Sequence, residues 1–123
     1  MRDAGNLEIY NIAVDLSVGI KKVLGKFPKE ERFELASQLR RAGVSVFSNI
    51  AEGYACESKK EFLKFLGYAY RSLKEVGSQL SYSLKVGYLK DDEYKELKNM
   101  VFKLDKKMLR FIWYIKKDER FYK

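Results

Sequence analysis

Two apolar seams restrict what this chain can fold into. Phe62, Leu66, Ala69, Leu73, Val76 and Leu80 recur at alternating steps of four and three. Tyr94, Leu97, Val101, Leu104, Met108, Phe111 and Ile115 follow the same rule over a longer span. Such spacing lays one stripe along an α-helix, whereas a strand needs a period of two, which the sequence nowhere sustains. Seams of this kind belong to helices that pack at a shallow angle, as in bundles.

Two further segments are helical. In the first, Ile9, Ala13, Ile20 and Val23 or Leu24 recur at helical steps. Phe27-Pro28 ends that run, because a residue before proline is pushed out of the α region. Pro28 suits the first turn of a second helix, and Glu30 and Glu31 suit its positive end. Gly53 is read as a left-handed cap closing this helix. Ser58 with Glu61 has the capping-box form and opens the third helix, which Gly87 closes; Asp91 or Asp92 caps the fourth. The expected helices span about 6–26, 29–53, 58–86 and 91–116, with 117–123 as a frayed basic tail. Short connections force neighbours to run antiparallel, so the expected fold is an all-α, up-down-up-down four-helix bundle in one domain, 1–123. One proline and eight glycines in 123 residues fit few, long elements.

The second helix carries two faces. On a helical wheel Ser37, Gln38, Arg41, Ser45, Ser48, Asn49 and Glu52 fall within an arc of about 120°. The apolar remainder, from Leu35, Leu39, Val46 and Ile50 round to Tyr54, Phe47, Ala51 and Val44, covers roughly 200°, twice what one core requires. The third helix has Leu63, Phe65, Tyr68 and Tyr70 off its seam, and the fourth has Phe102, Leu109, Ile112 and Trp113. A lone bundle cannot hide that much apolar surface, so self-association is expected. Phe47, Val44, Ala51, Leu63 and Tyr70 are the candidate contacts between copies, and Ala42, Gly43, Gly67 and Gly77 permit close helix approach. Arg40 lies inside the apolar arc. It is expected to snorkel or to pair with an acid at an interface, Glu75 being the candidate, and the functional alternative is a phosphate ligand.

The formal charge is +8 and it is concentrated late in the chain. Lys95, Lys98, Lys103, Lys106, Lys107, Arg110, Lys116, Lys117 and Arg120 crowd the fourth helix and tail, with Tyr114, Phe121 and Tyr122 placed to stack on unpaired bases. Together with Arg41 these cations are the candidate nucleic-acid contacts; a solvated face is the plain alternative.

There is no histidine, which removes Ser-His-Asp, Cys-His and most zinc or iron chemistry. Glu52 and Glu75 suit ion pairs with arginine better than a shared Mg²⁺. Cys56 is the sole cysteine and has no base beside it, so a catalytic thiol and an internal disulfide are both set aside. No run reaches the ~20 apolar residues of a membrane span, and MRDAGNLEIY lacks a signal core. The expectation is a cytoplasmic protein with no enzymatic activity, no cofactor, no metal and no membrane partner.

The stretches FPKEERFEL (Phe27–Leu35), SQLRRAGVSV (Ser37–Val46), SNIAEGY (Ser48–Tyr54), SKKEFLKFL (Ser58–Leu66) and SLKEVGSQL (Ser72–Leu80) carry a resemblance. In order and spacing, from about Leu7 to Leu89, the chain resembles the 23S rRNA-intervening sequence protein family. It carries the family's motif positions at Gln38, Arg40, Arg41, Ser45, Asn49, Glu52, Ser58, Glu61 and Glu75. Phe47 stands where the family usually has proline, and Arg71 and Gly77 replace the usual Gly and Glu. The resemblance implies an antiparallel four-helix bundle assembling as a ring-like homopentamer. It also implies genes often lying within inserts of large-subunit ribosomal RNA genes, and a related branch that binds nucleic acid beside reverse transcriptases. No catalytic activity comes with it. The function expected is a homo-oligomeric nucleic-acid-binding module, RNA ahead of DNA. The alternative is a protein-interaction scaffold or accessory subunit for a partner such as a reverse transcriptase. Gln38, Arg40, Ser45, Asn49, Glu52 and Glu75 then serve as structural or interface polar groups.

Overall fold

The computed structural model describes residues 4–119. Four α-helices follow a short 3₁₀ turn, Ala4–Asn6: α1 (Glu8–Leu24), α2 (Leu35–Ala55), α3 (Lys59–Lys85) and α4 (Asp91–Lys117). No strand occurs among the described residues. Each helix packs on two others, α1 on α2 and α4, and α3 on α2 and α4, leaving one core in the middle. The seam of α3 fills it: Phe62, Leu66, Ala69, Leu73, Val76 and Leu80 are all fully buried. Leu97, Val101, Leu104, Met108 and Ile115 of α4 meet them, while Tyr94 and Phe111 are only partly covered. Ile9, Ala13, Leu16, Ile20 and Val23 of α1 and Leu39, Val46 and Ile50 of α2 complete the core.

Local chemistry sets the helix ends. Ser58 Oγ accepts from the Glu61 N–H at 3.1 Å, opening α3 as its capping box requires. Gly87, at φ +86°, turns the chain out of α3 through a conformation that L side chains avoid. Three expectations are corrected. α2 does not begin at Pro28: Lys29–Glu31 forms a 3₁₀ turn and the helix starts at Leu35, after Glu34 takes non-helical angles of φ −108° and ψ −106°. Lys90, not Asp91 or Asp92, is the cap of α4. Its N–H donates to Glu93 Oε1 at 3.0 Å, and the two aspartates fill the first turn. Gly53 is not a left-handed cap; it lies within α2, which continues to Ala55. A Cβ at Gly53 would stand 2.7 Å from Phe65 Cβ, so hydrogen there is what lets α2 and α3 approach.

Polar ties run between the helices. Glu8 pairs with Lys107 at one end of α1, and Lys26, just past its other end, pairs with Glu93. Between α3 and α4, Asp105 accepts from Tyr70 Oη at 2.7 Å and from Lys74 Nζ at 2.6 Å. Burial pushes the Asp105 carboxyl up, but the bonds from Lys74 and Tyr70 outweigh it and hold it below the usual carboxylate range.

Gly53→Ala is expected to destabilise the chain by about 1–3 kcal/mol through overpacking. Gly67→Ala, at a helix position where a Cβ meets nothing within 4 Å, is expected to stabilise it by about 0.5–1 kcal/mol; urea melts read both. The Asp105 tie contributes fully above the unfolded carboxyl value of 3.8 and is lost as pH falls through the lower folded value. Asp105→Asn should therefore lose less stability than wild type on acidification below about pH 4, read as the difference between their urea midpoints across pH.

Candidate functional site

α4 has a second apolar seam on the side away from the core. Phe102, Leu109 and Trp113 follow one another at steps of seven and four and stay 59%, 49% and 63% exposed. Those steps return to the same side of a helix, so the core seam cannot cover them. Cations are set among them. Lys106 Nζ stands 4.5 Å from the Phe102 ring centre and Lys117 Nζ 5.7 Å from that of Trp113. Lys95, Lys98, Lys103, Arg110 and Lys116 are exposed as well, and among the described residues none of these cations joins an ion pair. Asp105 is the one acid between Leu97 and Lys117, and Tyr70 and Lys74 already occupy it. The outer side of α4 is thus a positive field with exposed rings in it.

Not every expected contact joins this face. Lys107 bonds Glu8 of α1 at 3.0 Å and is less exposed than its neighbours. Arg41 projects from α2, which does not pack against α4, so it belongs to a different side of the molecule. Arg120, Phe121 and Tyr122 lie outside the described residues.

The polar arc of α2 divides in two. Ser45 Oγ and Ser72 Oγ lie 2.8 Å apart, and Asn49 Nδ2 donates to Ser45 O at 2.8 Å and to Ser45 Oγ at 2.9 Å. These groups stitch α2 to α3 within the chain. Gln38, Arg41 and Glu52 stay exposed. Within the subunit Arg40 and Glu75 do not pair: Glu75 Oε1 accepts from Gln79 Nε2 at 3.1 Å, and Arg40 is exposed and in no ion pair among the described residues. Arg40 instead lines a cleft at the α1–α2 connection with Lys21, Lys29 and Arg32. Sequence reasoning missed those three; the signal was a set of cations bracketing the Pro28 break.

The candidate contacts between copies also divide. Val44 is exposed and Ala51 half-buried. Phe47 meets the Tyr10 ring edge-on at 6.1 Å, Leu63 packs on the core, and Tyr70 holds Asp105. A charge at Phe47 would therefore strike the subunit's own packing. Of the small residues, Gly43 lies against Ser17 and Ile20 of α1 and Gly77 faces Val101 of α4, so both serve contacts within the chain. Burial first, then the Glu61 carboxylate, pushes the Cys56 thiol up, away from the thiolate a nucleophile needs. Among the described residues no Asp, Glu and Cys side chains gather in a group that could hold a metal ion, and no helix is long and apolar enough to cross a membrane.

The chain is similar in fold to the crystal structure of a protein with unknown function from the S23 ribosomal protein family from Bacteroides thetaiotaomicron VPI-5482. The TM-score is 0.78 at 21% identity, over 85% of this chain and 94% of that one. No curated protein matches the sequence. The model of the family described as 23S rRNA-intervening sequence protein matches residues 5–110, nearly the whole of the four-helix core and the larger part of α4. The chain belongs to the 23S rRNA-intervening sequence protein family.

Proposed function

We propose that this chain is a homo-oligomeric module without enzymatic activity that binds nucleic acid, RNA ahead of DNA, in a reducing cytoplasm. The observation that carries this reading is the outer side of α4, where cations that join no ion pair among the described residues alternate with exposed rings. Lys98, Lys103, Lys106, Arg110, Lys116 and Lys117, which flank the apolar seam, supply sequence-independent contacts to phosphates. The family's description, which names an rRNA intervening sequence, favours RNA.

Assembly is part of the same proposal. Subunits are up-down-up-down bundles, a topology supported by the ties at opposite ends of α1, Glu8–Lys107 and Lys26–Glu93. They join through the apolar seam of α4 into a ring-like oligomer, five copies being what the family resemblance implies. Joining sets the flanking lysines of neighbouring copies side by side, and a polyanion relieves their repulsion.

A scaffold for a polypeptide partner is the second reading. Leu109 and Val86 favour it, because they are exposed and aliphatic and have no ring to stack on a base. Native extract treated with nuclease separates the two: a protein partner that persists with no nucleic acid recovered would replace the RNA reading by the scaffold.

Anisotropy titrations of single-stranded RNA across salt test the leading reading. Log K should fall by roughly 0.7 per phosphate neutralised for each tenfold rise in salt. The Lys106→Glu/Arg110→Glu variant should bind more weakly with a shallower slope. A slope near zero in wild type would end the proposal.

A further inference from the structure

The break at Phe27-Pro28 does more than end a helix. Because α2 starts only at Leu35, the connection stays wide and leaves a cleft of about 360 Å³ against the end of α1. Lys21 reaches it from α1, Lys29 and Arg32 from the connection, and Arg40 from the second turn of α2. Leu24 and Phe27 form an apolar wall beside them.

The charge here lacks its counterpart. Among the described residues no carboxylate lines the cleft, and none of the four cations is in an ion pair. The connection does carry acids, but they do not line the cleft. Glu31 accepts from Tyr88 Oη at 2.9 Å and from the Leu35 N–H at 3.4 Å, while Glu30 and Glu34 are exposed and outside the lining. Four like charges gathered around one concavity repel one another until an anion joins them. Phe27 is largely buried against Tyr88 and shows the cleft only part of its ring, so cations beside this wall suit a ligand with two parts, an anionic head and a weakly polar body. The volume lies at the lower end of the range for small-molecule sites, roughly 300–1,000 Å³.

We infer that this cleft binds the phosphate monoester of a nucleotide, with Arg32, Arg40, Lys21 and Lys29 around the phosphate and Phe27 and Leu24 against the base or sugar. The ligand is a free mononucleotide or the phosphorylated 5′ end of an RNA strand; the chemistry is the same. The site is separate from the outer side of α4 and stands whether or not that side takes RNA.

Calorimetry on the full-length, nuclease-treated protein, with adenosine 5′-monophosphate, adenosine and inorganic phosphate as probes, tests it. A second arm compares one short RNA with a 5′-phosphate or a 5′-hydroxyl. Arg32→Gln/Arg40→Gln changes two exposed side chains, and its folding is checked by circular dichroism. Lys106→Glu/Arg110→Glu is the control on α4. The monophosphate should bind wild type and the α4 variant alike and bind the cleft variant about tenfold more weakly, with inorganic phosphate weaker than the monophosphate and adenosine weaker still. Monophosphate binding without a 5′-end preference supports the free nucleotide as the source, and a 5′-phosphate preference lost in the cleft variant supports the RNA end. The inference is overturned if adenosine matches the monophosphate, if the cleft variant binds as wild type does, or if neither the monophosphate nor the 5′-phosphate has an effect. A flat salt response of RNA binding with intact monophosphate binding would remove the α4 reading alone.

Discussion

A helix can turn one stripe to one core, and α4 has two. Its inner seam, from Leu97 to Ile115, closes the bundle, and whatever satisfies the inner seam leaves Phe102, Leu109 and Trp113 in water. No rotation of α4 improves this, since turning the outer seam inward would expose Leu104 and Met108. The lysines and arginine of α4 must then share the outer side with those rings, because the inner side has no room for charge. In the proposed reading, association and charge are coupled for this reason. The surface that joins copies is flanked by the cations that attract a polyanion, and each event favours the other by the same free energy.

Much of the bundle was legible before any coordinates. A seam of six or seven residues has one physical solution, and Phe62 through Leu80 took it. Helix ends were legible where the signal is local, as at Ser58 and Gly87, whose chemistry depends on residues within one turn. They were not legible where the reason lies in another helix. Gly53 reads as a cap in sequence because nothing nearby says that Phe65 will press on it.

The same limit governs the candidate site. The run of cations on α4 was visible, but its loss of Lys107 to Glu8 depends on a residue 99 positions away. Phe47 and Tyr70 looked like spare apolar surface, and only the packing of α1 and α4 against them shows where they are used. Arg40 stands out in the sequence as a charge within an apolar arc. Its surroundings were missed, because the cleft exists only once α2 is delayed to Leu35. The proline that separates two helices in the sequence is, in three dimensions, what gathers four cations.

The central claim is that the outer seam of α4 is not left to water. Sedimentation equilibrium of the nuclease-treated wild type, over a wide concentration range at moderate salt, tests it most directly. A mass that is a fixed multiple of the 14.5 kDa chain is predicted. A single species of 14.5 kDa at every concentration would contradict it.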